Sequence, residues 1–276
     1  MNWHHGYIAE HLEAVYRREL LRVIFNIPPR YSKSEMTTMI FDPWVKGRDP
    51  TFSFMSASYS GDLAESHAKK SRDIILDPAY ALVFPNTLIK KGSREKANWE
   101  TTRDGVRIAV GVNGSPIGRG GDGLAIDDPH NPKKTMDSAV TRKSDIDWFE
   151  NTFYSRLNDK KTGFVIVTMQ RIHDEDLTGH LLEKGDEILG KPYTHVMIKS
   201  TNEAEKVYSY GNFEYARKPD ELIWPAFEDV EEIEDAKVNM GDNFDPQYDQ
   251  DPVPDGKRYF GEEGFIEYDY KDPPFV

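Results

Sequence analysis

The segment NIPPRYSKSEM (26–36) places residues that could bind phosphate directly after an apolar run. Lys33 and Ser34 match the end of the pattern G-x-x-x-x-G-K-[ST], in which the lysine reaches the β- and γ-phosphates and the hydroxyl ligates Mg²⁺. Ile27 and Ser32 stand where this pattern has glycine. Because Ser32 is small, the backbone can still approach a phosphate closely, with some strain if its φ is positive. The segment therefore predicts a variant phosphate-binding loop.

Two further features of this loop favour a polyphosphate ligand. Arg30 adds a second cation beside Lys33, and the preceding prolines stiffen the chain. A helix that starts near Lys33 would direct its first backbone N–H groups at an anion. A lysine–serine pair at a helix start also arises by chance, so the loop alone leaves an ordinary helix start open as the alternative.

A second candidate group is the acidic pair in GLAIDDPH (123–130). An apolar strand ends in Asp127 and Asp128, and Pro129 stops it. Adjacent carboxylates are costly unless a cation neutralises them. We interpret Asp127 as the Mg²⁺-associated acid and Asp128 as the catalytic carboxylate that orients the attacking water. The alternative is a strand-end turn, in which Asp-Asp-Pro is also common.

Three other segments could contribute to the same chemistry. The glycine-rich loop GSPIGRGGDG (114–123) could bring Arg119 to a phosphate, where an arginine finger stabilises the charge that builds up during phosphoryl transfer. Gln170, at the end of a predicted strand, is best placed to sense the γ-phosphate. The acidic run at 173–176 resembles a metal cluster, but we predict turn and N-cap residues there, at the positive end of a helix.

The elements that must position these residues alternate along the chain, as in a parallel α/β sheet. The apolar runs that predict strands are 21–27, 52–58, 106–112, 123–127, 163–169 and 193–199. The helix-like segments are 60–76, with Ser60 as a cap, 138–157, starting at Ser138, and 174–184.

Composition separates the tail from the body of the chain. The net charge is −13, but residues 220–276 hold 18 acidic and 4 basic residues, a local net of −14, which leaves the body near neutral. We therefore predict a main domain over 1–215, which contains the phosphate loop, and a linker or small subdomain over 216–276. The chain has no cysteine, which excludes disulfides and thiolate metal sites. No apolar run approaches the ~20 residues that span a bilayer, so we expect a soluble protein without membrane contact.

Six ordered blocks resemble the large terminase subunit of tailed bacteriophages, the ATPase motor that packages viral DNA into a procapsid. A further segment, QYDQDPVPDGKRYF (247–260), is similar to the region that joins the family's ATPase and nuclease domains. The six blocks are WHH…IAEHLEAV (3–15), FNIPPRYSKSEM (25–36), FMSASYS (54–60), GRGGDGLAIDDPH (118–130), DWFENTFYSRL (147–157) and VTMQRIHDEDLTGHLLE (167–183).

The resemblance implies roles for individual residues. It implies that Lys33 and Ser34 are the phosphate-loop pair, that Arg30 is the loop arginine, and that the two aspartates form the second acidic motif. It also implies that Arg119 acts in trans on a neighbouring subunit's nucleotide and that Gln170 occupies the coupling position. The block at the N-terminus resembles the region that helps to hold adenine, through Trp3, His4 or a neighbour.

At the level of the whole molecule, the resemblance implies a three-layer P-loop NTPase of the ASCE type, with a mainly parallel central sheet and a short C-terminal linker subdomain. It implies ATP and Mg²⁺ as cofactors. The implied partners are double-stranded DNA, the portal protein, the small terminase subunit and further copies of the chain in a homo-oligomeric ring, in the cytoplasm of an infected bacterial host. The tail acids are scattered, so we expect no nuclease activity from this chain.

Two other functions remain open from the sequence. One is a superfamily 2-type helicase fragment, although a helicase normally has a second α/β domain. The other is a nucleotide-binding assembly module with little turnover. A phosphate-release assay with and without DNA separates these functions.

Overall fold

The computed structural model describes residues 2–93, 98–116, 118–132, 138–189 and 192–252. The predicted joining segment 247–260 therefore lies mostly outside the described residues, and so does the end of the predicted linker at 216–276. Within the described part of the chain, no helix combines the length and the apolarity needed to cross a bilayer.

A seven-stranded sheet forms the centre of the molecule, in the order β3-β4-β2-β5-β6-β1-β7. All neighbouring strands are parallel except β3, which pairs antiparallel with β4 at one edge. The strand bounds are β1 Arg22–Asn26, β2 Phe54–Ser58, β3 Trp99–Glu100, β4 Val106–Gly111, β5 Gly123–Asp127, β6 Phe164–Met169 and β7 Thr194–Met197. The predicted mainly parallel α/β sheet is confirmed.

Helices cover both faces of the sheet, so the fold has three layers. One apolar core lies between the sheet and the first two helices, and a second core lies on the opposite face. The helix bounds are α1 Trp3–Tyr16, α2 Phe41–Arg48, α3 Gly61–Leu76, α4 Pro78–Val83, α5 Ala139–Trp148, α6 Leu177–Leu189, α7 Val230–Met240 and α8 Phe244–Tyr248. A π-helical segment, Glu35–Ile40, leads into α2.

The helix starts follow the capping chemistry of the sequence. Ser60 accepts a hydrogen bond from the Leu63 N–H at the start of α3, and Ser138 accepts one from Thr141 at the start of α5. The helix predicted over 138–157 is divided, because α5 gives way to a π-helical and then a 3₁₀ turn after Trp148. The helix predicted from 174 begins later, at Leu177.

Several elements outside the sheet were not predicted from apolar runs. A separate hairpin, formed by β8 (Lys206–Tyr210) and β9 (Phe213–Arg217), packs against α1. Because β9 continues through residue 217, regular structure crosses the boundary predicted at 215. The helices α7 and α8 follow and share a small apolar cluster around Phe244.

Candidate nucleotide-binding site

A cavity of about 660 Å³ lies at the carboxyl ends of the central strands β1, β5 and β6. This edge of a parallel sheet is where α/β proteins bind ligands, and the volume is in the range of small-molecule sites. The cavity brings together predicted site residues from three segments that are distant in sequence. They are Arg30, Ser32, Lys33 and Ser34 after β1, Asp128 after β5 and Gln170 after β6.

The phosphate loop adopts an unusual backbone. Arg30 and Ser32 have positive φ angles of 72° and 59°, a conformation that costs a non-glycine residue roughly 1–2 kcal/mol. Helical backbone begins at Lys33, where the predicted helix start lies, and the Met36 N–H donates to the Ser32 carbonyl at 3.0 Å. The π-helical turn that follows is a type of distortion found often at functional sites. Ser32 therefore adopts the conformation for which the usual pattern has glycine.

The two predicted motifs meet in space. The Ser34 hydroxyl donates to Asp127 Oδ1 at 2.8 Å, and Lys33 Nζ lies 3.5 Å from Asp128 Oδ2. The sheet order explains the convergence, because β6 lies between β1 and β5 and holds the loop and the acidic pair one strand apart.

The surroundings of Asp127 disfavour the ionised form of its carboxyl group. Burial, and after it the neighbouring charge of Asp128, raise the pKa of its carboxyl to about 8, and Lys33 and Ser34 only partly offset this effect. His67 Nδ1 lies 3.4 Å from Asp127 Oδ2, but burial lowers the pKa of this histidine to about 4, so it contributes no positive charge at neutral pH. Asp127 Oδ2 is buried without a hydrogen-bond partner.

These features fit a hydrated divalent cation. A buried carboxylate with one unpartnered oxygen and an adjacent serine hydroxyl is the oxygen-ligand set that Mg²⁺ takes beside nucleotide phosphates. Among the described residues, no group of three or more His, Asp or Glu side chains could hold a metal by itself. Ser34 and Asp127 would therefore hold the ion only together with phosphate and water oxygens.

Asp128 is held in a strained conformation at the cavity. Its φ is 43°, and its backbone is fixed by Tyr59 N–H, which donates to its carbonyl at 3.1 Å, and by its own N–H, which donates to the Thr168 carbonyl at 2.8 Å. A strained backbone conformation persists only where the surrounding contacts enforce it, and such positions are often found at functional sites. Asp128 Oδ1 is buried without a hydrogen-bond partner, so it is available to accept one from a ligand or a water molecule.

Gln170 lines the same cavity, and its Oε1 is also buried without a hydrogen-bond partner. Two residues earlier, the hydroxyl of Thr168 on β6 donates to Thr37 Oγ1 at 3.0 Å. The Thr37 hydroxyl in turn donates to the Lys33 carbonyl at 2.9 Å. The end of β6 is thus connected by hydrogen bonds to the phosphate loop.

Arg119 is not brought to this cavity. It is exposed and lines a different cavity, with Glu65, Asn98 and Trp99. The chain therefore does not place this arginine on its own phosphate loop, and action in trans stays a prediction.

Trp3 and His4 do not line the nucleotide cavity either. Trp3 stacks on Tyr215 of the hairpin, with 4.8 Å between ring centroids and an interplanar angle of 2°. His4 is fully buried and packs edge-on against Tyr31 of the phosphate loop, and burial lowers the pKa of its imidazole to about 3. Direct contact of either residue with adenine stays a prediction without support from this geometry. His4 instead supports the phosphate loop through its contact with Tyr31, and Trp3 packs against the hairpin.

The acidic run at 173–176 is a helix start. Asp176 accepts hydrogen bonds from the Gly179 N–H at 2.9 Å and from the Ile172 N–H at 3.1 Å, and it pairs with Arg171. His173 is fully buried. The predicted turn and N-cap role is therefore confirmed.

The cavity residues that were missed from the sequence include His67, Trp224 and Phe227. His67 lies on α3, the helix that follows β2, and β2 is the neighbour of β5. That sheet order was the signal that could have placed it beside Asp127. Trp224 and Phe227 follow the hairpin, and no motif marks them.

Comparison with solved structures gives an independent measure of the fold. The crystal structure of the HK97 bacteriophage large terminase is similar to 85% of this chain, with a TM-score of 0.53 and 11% sequence identity. This chain spans 47% of the length of that one. No protein-family profile matches the chain, and no curated protein sequence does. The chain therefore shares its mainly parallel, three-layer fold with a phage large terminase.

Proposed function

We propose that this chain is the ATPase motor domain of a viral DNA-packaging terminase, which hydrolyses ATP with Mg²⁺ to translocate double-stranded DNA into a procapsid. One observation carries the proposal: Lys33–Ser34 and Asp127–Asp128 meet at one cavity, with contacts of 2.8 and 3.5 Å between the two pairs. The fold similarity to a phage large terminase supports the choice of motor.

The residues of the cavity suit phosphoryl transfer to water. Lys33 Nζ and the first N–H groups of the helix bind the phosphate oxygens, and Arg30 adds charge at the cavity mouth. Mg²⁺, when bound, neutralises charge on the phosphate oxygens, and Ser34 and Asp127 provide its protein contacts. Asp128 accepts a hydrogen bond from the water that attacks the γ-phosphorus as the bond to the bridging oxygen breaks.

The Lys33–Asp128 contact has a consequence for this reaction. The two side chains neutralise each other across 3.5 Å, at the place where a γ-phosphate would lie. A bound phosphate competes with Asp128 for the lysine ammonium. Nucleotide binding would therefore free the carboxylate to orient water at the step that needs it.

The motor function requires partners that the fold alone does not supply. We place this chain in a homo-oligomeric ring on the procapsid, where Arg119 of one subunit reaches the nucleotide of the next. The portal protein and the small terminase subunit would be its protein partners, and double-stranded DNA its substrate for translocation.

A phosphate-release assay with and without double-stranded DNA tests the proposal. Lys33→Ala should abolish hydrolysis because it removes the main cation at the phosphates. Lys143→Ala, which removes an exposed lysine on α5 outside this cavity, is the matched control and should retain the parent rate. Hydrolysis by Lys33→Ala at the parent rate would refute the assignment. Tight ATP binding without turnover, with or without DNA, would instead indicate a nucleotide-binding assembly module.

A further inference from the structure

A turn that follows the β8–β9 hairpin brings two aromatic side chains to the nucleotide cavity. The Phe227 N–H donates to the Trp224 carbonyl at 2.9 Å, and the Glu228 N–H donates to the same carbonyl at 3.1 Å. This turn places the rings of Trp224 and Phe227 side by side, with centroids 5.2 Å apart and planes tilted by 32°. Both side chains line the cavity that contains Lys33. We call these two residues the aromatic pair.

The turn is anchored directly to the phosphate loop. The Tyr31 hydroxyl donates to Glu228 Oε2 at 2.6 Å, and the Tyr248 hydroxyl donates to Glu228 Oε1 at 3.3 Å. Tyr31 itself is 1% exposed and contacts Phe227 edge-on, with 5.7 Å between ring centroids. The aromatic pair is therefore fixed relative to the loop, although more than 190 positions separate them in the sequence.

A second set of contacts anchors the chain just before the turn. Fully buried Arg217 donates to the carbonyls of Glu221 and Lys199, at 2.7 and 2.6 Å. The Asn2 side chain donates to the Ile223 carbonyl. These contacts hold the turn from both ends, so the aromatic pair is preorganised without a ligand.

The aromatic pair adds aromatic surface to a cavity whose lining also carries Arg30, Lys33 and Asp128, and Phe227 is 45% exposed. A centroid separation of 5.2 Å leaves no space for a further ring between the two, so a flat ligand would lie on the outer face of the pair. Cations and an aromatic surface in one cavity suit a ligand with phosphates joined to a planar ring.

We propose that Trp224 and Phe227 form the nucleobase subsite, against which the base of a nucleoside triphosphate stacks while its phosphates lie on the loop. The inference rests on the proposed nucleotide site and adds the residues that hold the base. Stacking is tolerant of base identity, because every base has a π-face. The subsite therefore accepts purines generally, and the aromatic pair by itself does not select adenine over guanine.

Binding measurements with two probes test the inference and separate it from the proposed function. Phe227→Ala and Trp224→Ala should each weaken ATP binding by about 5- to 150-fold, the range expected when one stacking partner of a base is removed. Neither variant should change the affinity for inorganic tripolyphosphate, which has no base. Lys33→Ala should weaken binding of both probes.

Each outcome of this experiment is decisive. Unchanged ATP affinity in both aromatic variants would overturn the subsite, and so would an equal loss for ATP and tripolyphosphate, which would indicate a distorted loop. If the parent protein binds neither probe, the nucleotide site itself fails. Thermal unfolding of each variant shows whether the fold is intact. Phe227→Leu, which keeps apolar bulk without a π-face, should lose ATP affinity in the same direction.

Tryptophan fluorescence gives a second readout that a purely structural role would not change. A base stacked on Trp224 should quench its emission when GTP or ATP is added. The quenching should disappear in Trp224→Phe and persist in Trp44→Phe, since Trp44 lies on α2 and does not line the nucleotide cavity. Tripolyphosphate should produce little quenching in any variant. Equal quenching by ATP in the parent and in Trp224→Phe would contradict the subsite.

Discussion

Asp127→Asn removes a carboxyl group that burial makes costly to ionise, and it should make the nucleotide-free protein more stable at neutral pH. Asp127 keeps its proton in the folded protein up to about pH 8, whereas an unperturbed aspartate has a pKa of 3.8. Between these pH values the folded state binds more protons than the unfolded chain, so the free energy of unfolding falls as the pH rises. Asparagine carries no such charge and has no such dependence.

The size of the effect follows from the same pKa difference. Each pH unit above the unfolded-state pKa lowers the free energy of unfolding by about 1.4 kcal/mol. Between the pKa of 3.8 and pH 7 there are roughly three such units, so the total loss of stability is about 4 kcal/mol. The Ser34 hydroxyl can still donate to the amide oxygen of asparagine, so the substitution keeps that contact. The stability advantage of Asp127→Asn should therefore grow between pH 5 and 8 and become constant above pH 8.

Urea unfolding at half-unit pH intervals, with a chelator and without nucleotide, measures this slope. Asp235→Asn, on the exposed side of α7, is the matched control and should differ from the parent by a constant amount. Parallel curves for the parent and Asp127→Asn from pH 5 to 8 would refute the reasoning. Addition of Mg²⁺ and ATP at pH 8 should stabilise the parent more than Asp127→Asn, because only the parent offers a carboxylate to the ion.

Three further predictions concern the roles of single side chains. Asp128→Asn should bind ATP yet lose turnover in a phosphate-release assay, and equal loss of both would contradict its role in orienting water. His67→Ala should raise the Mg²⁺ concentration that half-saturates hydrolysis, by releasing the Asp127 carboxylate, whereas His67→Asn should restore part of the parent value. A mixture of inactive Arg119→Ala and Lys33→Ala subunits should regain activity if the arginine acts in trans, and associated but inactive mixtures would count against it.

The strands could be predicted because each one is marked by a run of apolar residues within a single short segment. Runs such as FVIVTM (164–169) are apolar on both faces, as a strand covered by helices on both sides must be. Serine before a helical pattern predicted the caps at Ser60 and Ser138 for the same reason. The acidic pair and the lysine–serine pair were also visible, since each is a short motif at the end of one strand.

What the sequence could not show depends on contacts between distant segments. The distance from Ser34 to Asp127 depends on the position of β6 between β1 and β5. The order of strands in a sheet cannot be predicted from any single segment. The burial of His4 could not be predicted from its own segment, because its packing partner Trp224 lies some two hundred positions later.

The contacts around Lys33 indicate how ligand binding at the cavity would change the structure at the end of β6. Lys33 contacts Asp128 through its side chain, and its carbonyl accepts the hydroxyl of Thr37, which itself accepts from Thr168. Because Lys33, Thr37 and Thr168 are buried, none of them can move without breaking a hydrogen bond that water cannot replace. A phosphate that draws Lys33 away from Asp128 would therefore act on the end of β6, where Gln170 begins the chain segment that leads to α6. The hydrogen bonds end at Thr168, two residues before Gln170, and the coupling role of Gln170 stays a prediction.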